Sequence, residues 1–128
     1  MNANVNARMI DLRILRPEAG FVRMEIVGRL SRDAAPADYD PFIELYGNDV
    51  YSGKVLINLH KTTHIDSSGV GWLLSANKRF KENRGSLVLH SATPMTVQLL
   101  KLMRIDQVVL LADDERTARQ KLNGADHA

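Results

Sequence analysis

Apolar and polar residues alternate over positions 9–15, with Ile10, Leu12 and Ile14 on one side and Asp11 and Arg13 on the other. A period of two over this length predicts a strand with one face buried. Positions 16–20 (Arg-Pro-Glu-Ala-Gly) read as a turn, and Val22, Met24 and Ile26 then alternate with Arg23 and Glu25. Two such strands around a short turn predict an antiparallel hairpin that Gly28 ends. Residues 31–36 read as loop or as the approach to a helix. Tyr39, Phe42, Ile43 and Tyr46 fall at i, i+3, i+4, i+7, one helical stripe, with Pro41 in the first turn and Gly47-Asn48 as the stop. Positions 55–59 (Val-Leu-Ile-Asn-Leu) are almost continuously apolar, which predicts a strand covered on both faces and hence internal to its sheet.

A helix is predicted over 68–81, with Val70, Leu73, Leu74 and Asn77 on one stripe and Trp72, Ala76 and Phe80 beside it as core. A strand over 86–90 follows the Arg84-Gly85 turn. Thr93 is placed to cap the next helix, with Pro94 at its first position and Met95, Leu99, Leu102 and Met103 as its apolar stripe. A last strand is predicted over 108–111 and a last helix over 113–122, acidic at its start and basic near Arg119 and Lys121, as the helix dipole favours. The order β-β-α-β-α-β-α-β-α predicts an α/β fold: a mixed four- to five-stranded sheet, parallel after the hairpin, with helices mainly on one face. Residues 1–8 read as a disordered leader, 9–122 as a single domain and 123–128 as a frayed tail.

Composition narrows the classes. At 128 residues the chain has room for one domain with a real core. It has no cysteine, so disulfides, thiolate metal sites and a cysteine nucleophile are excluded. Seventeen Lys and Arg against fifteen Asp and Glu leave a formal charge of +2, too balanced to argue for nucleic acid or an anionic membrane. The longest apolar run, 108–112, is far short of the roughly 20 residues of a membrane span. The N-terminus lacks the pattern of a signal peptide, and a cytoplasmic location is expected. The basic run 78–84 reads as the solvated end of a helix.

The residues that could carry chemistry lie where the internal strand ends. A short loop is predicted after Leu59, and Asp66-Ser67-Ser68-Gly69 then opens a helix that continues through Val70 and Gly71. Such a strand end is where α/β sheets place their sites. A helix N-terminus also supplies unpaired N–H groups and a positive dipole end, so a serine there sits where an added phosphate is tolerated. The plain alternative is a helix cap, since Asp and Ser are favoured there. The two glycines each cost roughly 1 kcal/mol relative to alanine, which close packing or a partner's approach to the backbone must offset. A serine hydrolase would need a base and a carboxylate. His60, His64 and His90 are present, but no Gly-x-Ser-x-Gly elbow is, so no enzymatic activity is expected. His60 and His64 are four apart on a loop rather than a helix, and no metal or other cofactor is expected. No glycine-rich phosphate cradle points to nucleotide binding.

The apolar run 55–59 followed by Ile65-Asp66-Ser67-Ser68-Gly69-Val70-Gly71 resembles the signature of STAS domains, in particular the bacterial anti-anti-sigma factors. Gly28-Arg29-Leu30 is similar to the family's Gly-x-Leu step, and the resemblance spans about 9–122. It implies a protein-binding module that, when unphosphorylated, binds an anti-sigma factor that is also a serine kinase of the histidine-kinase-like class. Phosphorylation of the motif's second serine, here Ser68, then releases it. Asp66, Ser67, Gly69 and Gly71 would form the phosphorylation loop and partner surface, and a serine phosphatase would reset the switch. Spacing by itself does not choose between Ser67 and Ser68. Ser31 and Arg29 stand where family members often carry acids. The alternative reading is a scaffold subunit of a stressosome-like assembly or of a lipid or anion transport system. The kinase, the process controlled and the oligomeric state are not written in the sequence.

Overall fold

A computed structural model describes residues 10–31 and 39–125. In chain order its elements are β1 (Leu12–Ile14), β2 (Val22–Ile26), β3 (Gly28–Leu30), α1 (Pro41–Tyr46), β4 (Lys54–Asn58), β5 (Thr62–Ile65), α2 (Ser67–Glu82), β6 (Ser86–His90), α3 (Pro94–Leu102), β7 (Leu110–Ala112) and α4 (Glu115–Ala125). Short 3₁₀ turns, Asn48–Ser52 and Ile105–Gln107, precede β4 and β7. Five strands form one sheet in the order β1-β2-β4-β6-β7. The β1–β2 hairpin is antiparallel, and all other neighbours in this sheet run parallel. The apolar run over 55–59 thus sits at the centre of the sheet, as its covered-on-both-faces pattern predicts.

One face carries the main core. Met24, Ile26, Val55, Ile57, Leu87 and Leu89 pack there against Leu73, Phe80 and Leu100 of the helices. Phe42 stacks on Trp72 at 5.2 Å and meets Phe80 edge-on at 5.4 Å, confirming Trp72 and Phe80 as core. Each aromatic pair contributes about 0.5–1.5 kcal/mol beyond its area. Among the described residues the other face is covered by α4, with Phe21, Leu56, Val88 and Ala112 against Ala118 and Leu122. Arg23 of β2 ties that helix down through Glu115, which also pairs with Arg119. Helices therefore lie mainly, but not only, on one face.

Four details differ from the sequence pattern. The stretch after Leu59, predicted as loop, contains β5, which pairs parallel with β3 in a separate two-stranded ribbon. Gly28 ends the hairpin as expected, but it also opens β3, a strand the pattern did not predict. In α3 the predicted stripe is on the outside: Met95 is 72% and Leu102 78% exposed, while Thr96 and Leu100 are buried. This helix is apolar on more than one side, so periodicity does not fix its rotation, and the Thr96 hydroxyl is satisfied within the cap by Thr93 Oγ1. Finally, α4 continues to Ala125 through positions read as tail, which puts Arg119 and Lys121 in its middle rather than in its last turn. The leader 1–8 and residues 126–128 lie outside the described residues.

Replacing Leu56 by alanine leaves a cavity between the central strand and α4. Chemical denaturation is expected to show a loss of about 2–5 kcal/mol, with the denaturant slope unchanged.

Candidate functional site

The site lies on the β3–β5 ribbon, which extends the carboxyl end of the main sheet. Gly28, at φ +77°, makes the turn out of β2, and its N–H donates to the Lys61 carbonyl at 2.9 Å. Only glycine adopts that backbone without strain. The buried Thr62 hydroxyl donates to the Ile26 carbonyl at 2.9 Å, fixing the ribbon to β2. Arg29 then lies opposite His64, and Leu30 opposite Ile65. The Asp66 N–H donates to the Leu30 carbonyl at 3.3 Å, and α2 begins at the next residue.

Asp66 is the N-cap of α2. It is extended (φ −119°, ψ 179°), and its Oδ1 accepts the Gly69 N–H at 2.9 Å. Such a cap is worth about 1 kcal/mol. The same oxygen accepts the Ser68 hydroxyl at 2.7 Å. Ser68 Oγ is in turn 3.3 Å from Ser31 Oγ, and Ser31 is only 6% exposed. Two hydroxyls and one carboxylate therefore meet at the start of the helix. Hydrogen bonds from the Ser31 and Ser68 hydroxyls, then from the Gly69 and Ser68 N–H groups, outweigh partial burial and hold the Asp66 carboxyl at about 2. A cleft of about 410 Å³ opens beside the cluster, walled by Ser31 and Asp66 and flanked by Arg29 and His64.

The five residues singled out in the sequence fall together here. Asp66 caps, Ser67 is exposed at the first helical position, and Ser68 is half-buried at the second. The two glycines separate into different roles. A Cβ on Gly69 would lie 2.0 Å from the Leu30 carbonyl oxygen, so close packing explains it. A Cβ on Gly71 would meet nothing within 4 Å, and Gly71 is exposed on the same side of α2 as Ser67 and Ser68.

Ser31 belongs to the site as a bonding partner, a role that sequence reasoning missed. The available signal was its place directly after Gly-x-Leu. Its neighbours Arg32 and Asp33 lie outside the described residues. The histidines do not join the cluster. His60 and His64 are exposed, with His64 Nδ1 3.0 Å from Thr63 Oγ1. His90 is buried, and desolvation pushes its imidazole below the usual range. The basic end of α2 is solvated as expected, with Arg79 paired to Asp40 at 2.7 Å.

Asp66 and Glu115 are both held at about 2 in the folded chain. An unfolded carboxylate titrates near 4, so the unfolded chain binds more protons between these values. The stability these groups confer is complete above about pH 4 and falls away as pH drops toward 2. Asp66→Asn is expected to flatten part of that slope in pH-resolved thermal melts, and Glu115→Gln another part.

Known proteins place this geometry. A profile of the STAS domain matches residues 9–118. Among solved structures, the fold superposes on a Thermotoga maritima protein assigned as an anti-sigma factor antagonist with a TM-score of 0.71, at 19% identity over 90% of this chain and 95% of that one. It also superposes on the anti-sigma factor antagonist SpoIIAA in its unphosphorylated form, with a TM-score of 0.60 at 17% identity over 88% and 98%. An anti-sigma-factor antagonist (STAS) domain protein of Planctomyces limnophilus gives 0.60 at 24% identity over the same shares. At these identities the structural likeness is one of fold; with the profile spanning most of the sequence, the chain belongs to the STAS domain family.

Proposed function

We propose that this chain is a phosphorylation-switched protein-binding module: it binds an anti-sigma factor that is also a serine kinase, and phosphorylation of Ser68 releases that partner. The observation that carries the reading is the Ser68 hydroxyl, held at the second position of α2 by a 2.7 Å bond to its own helix cap. Family membership and the fold shared with anti-sigma factor antagonists support it.

The chemistry follows from the protons. Ser68 Oγ–H donates to Asp66, which orients the hydroxyl oxygen toward an incoming phosphorus. Asp66, held at about 2, is too weak a base to take that proton at neutral pH. Its work is orientation, which suffices where the transition state is loose and the nucleophile needs little early deprotonation. A nucleoside triphosphate bound by the kinase supplies the phosphoryl group. The bond from its γ-phosphorus to the diphosphate oxygen breaks, Oγ–P forms, and the hydroxyl proton leaves to solvent. The product carries a charge of about −1.5 to −2 at a helix N-terminus, a placement worth about 0.3–1 kcal/mol in favour of the fold. The domain therefore stays folded, and the effect falls on the interface. There a desolvated, unpaired phosphate loses affinity tenfold for each 1.4 kcal/mol. Gly71 supports a binding role for this face, because no packing among the described residues accounts for it.

Ser68→Ala is expected to bind the kinase and resist modification, Ser68→Glu to fold normally and bind poorly, and Ser67→Ala still to accept phosphate. Capture from lysate, titration of the captured kinase, and mass spectrometry after incubation with ATP check all three. Phosphate on Ser67 alone, or tight binding by Ser68→Glu, would overturn the switch. Recovery of transporter subunits without a kinase would favour the scaffold.

Gly71→Ala separates folding from binding. It is expected to raise stability by about 0.5–1 kcal/mol through helix propensity, while weakening the partner complex by crowding its approach. Calorimetric melts and binding titrations read the two effects independently.

A further inference from the structure

The Ser31 side chain has no task in the switch described above, yet it is buried against the phosphoacceptor and its cap. We propose that Ser31 is a second donor to the Asp66 carboxylate, redundant with Ser68, a positioning residue that keeps the α2 cap intact when Ser68 gives up its proton to a phosphoester. The modification step in this inference rests on the proposed function; the pairing of the two donors does not.

Ser68 has one hydroxyl proton, and in the unmodified chain it lies on Asp66 Oδ1. Phosphoryl transfer replaces Oγ–H by Oγ–P, the γ-phosphorus leaves the diphosphate oxygen of a nucleoside triphosphate, and the proton goes to solvent. Ser68 then has no hydroxyl to donate, and its phosphate places a second anion near Asp66. The Gly69 N–H stays on the carboxylate. The remaining side-chain donor of the three-oxygen cluster is Ser31, whose Oγ lies 3.3 Å from Ser68 Oγ. Its hydroxyl already counts among the hydrogen bonds on Asp66.

Ser31 is also held in place. The Leu30 carbonyl accepts the Asp66 N–H, and the Leu30 backbone packs directly on Gly69. Its Oγ therefore keeps its position relative to the cap whether or not Ser68 is modified. The low titration of Asp66 is consistent, since the Ser31 hydroxyl is its foremost cause. An acid at position 31 would do the reverse: it would offer no proton at neutral pH and would add a third negative group beside the phosphate.

The test is a four-protein cycle without any kinase: the parent chain, Ser31→Ala, Ser68→Ala and the double variant, melted at pH 7. Ser68→Ala removes the same proton that phosphorylation removes. Each single variant is expected to lose about 1 °C, and the double about 3–6 °C, the scale of a lost cap in a domain of this size. Hydrogen exchange of the Gly69 amide gives a second reading. Its protection is expected to survive either single change and to fall at least tenfold in the double variant. Ser31→Thr is expected to behave as the parent. Ser31→Cys keeps the volume with a poor donor, and is expected to copy Ser31→Ala, so the test survives if alanine at this buried position harms packing. Additive losses, or a Ser31→Ala loss equal to that of the double variant, would overturn the inference.

The modified chain adds one arm. After phosphorylation on Ser68, the Ser31→Ala chain is expected to melt about 3–6 °C below the phosphorylated parent, and equal melting would overturn this role of Ser31. Absence of phosphate on Ser68 would sink the switch instead, and the kinase-free cycle would still decide whether the two hydroxyls share Asp66.

Discussion

The constraint on which the site depends is the contact between the Leu30 backbone and Gly69. The carbonyl oxygen of Leu30 occupies the space a side chain at position 69 would need, and it also accepts the Asp66 N–H. β3 is thereby pressed onto the first turn of α2. Ser31 follows Leu30, while Asp66 and Ser68 flank that contact. One approach of two backbones therefore sets the relative positions of all three oxygens. A cluster held this way needs no adjustment of loops before a partner meets it, which is the kind of preorganisation that lowers the cost of binding.

The anchor is firm because both of its halves rest on something buried. The ribbon is tied to β2 by Thr62 and turned out of the sheet by Gly28. The helix is held from below by Val70, Leu73 and Phe80 and by the stack of Phe42 on Trp72. A domain of this size has a net stability of about 5–15 kcal/mol. A charge change worth about 1 kcal/mol or less at an exposed helix end does not unfold it. The same change inside a desolvated contact is worth several times more. On the proposed function, a phosphate on Ser68 would thus be read by whatever touches α2 and not by the core beneath it.

The sequence made the frame legible because its strands and longest helix carry strong, unambiguous patterns. The central strand was visible as an apolar run, the hairpin as a period of two, and α2 as a stripe bounded by a capping aspartate. Three things were hidden for physical reasons. The β3–β5 ribbon has only three or four residues per strand, and its side chains alternate too briefly to outvote the polar loop around them. The rotation of α3 was ambiguous because apolar residues lie on several sides of a nine-residue helix. Ser31 was noticed as a departure from an acidic pattern, but not as a buried bonding partner. Its burial against Ser68 follows from the ribbon, and so was lost with it. Among the site residues, the cap and both serines could be placed from local order alone. The division of labour between the glycines could not, because it turns on a carbonyl almost forty positions away in the chain.

The electrostatic character of the site follows from which of its groups can change charge. Asp66 titrates at about 2, so at any pH near neutrality it is a fixed negative charge. Ser31 and Ser68 contribute none. The unmodified cluster is a constant monoanion, and its surroundings include Arg29 on the flank of the cleft. The proposed modification of Ser68 would bring the local total to about −2.5 to −3 by adding about −1.5 to −2. A partner shaped to the unmodified form meets a hydroxyl whose hydrogen bond is already satisfied by Asp66, so little desolvation cost attaches to covering it. The modified form presents three strongly hydrated acceptor oxygens in the same place. The contrast between the states therefore comes less from any movement of the backbone than from the difference between an internally satisfied hydroxyl and an unsatisfied anion, set on a helix end that the Leu30–Gly69 contact keeps still.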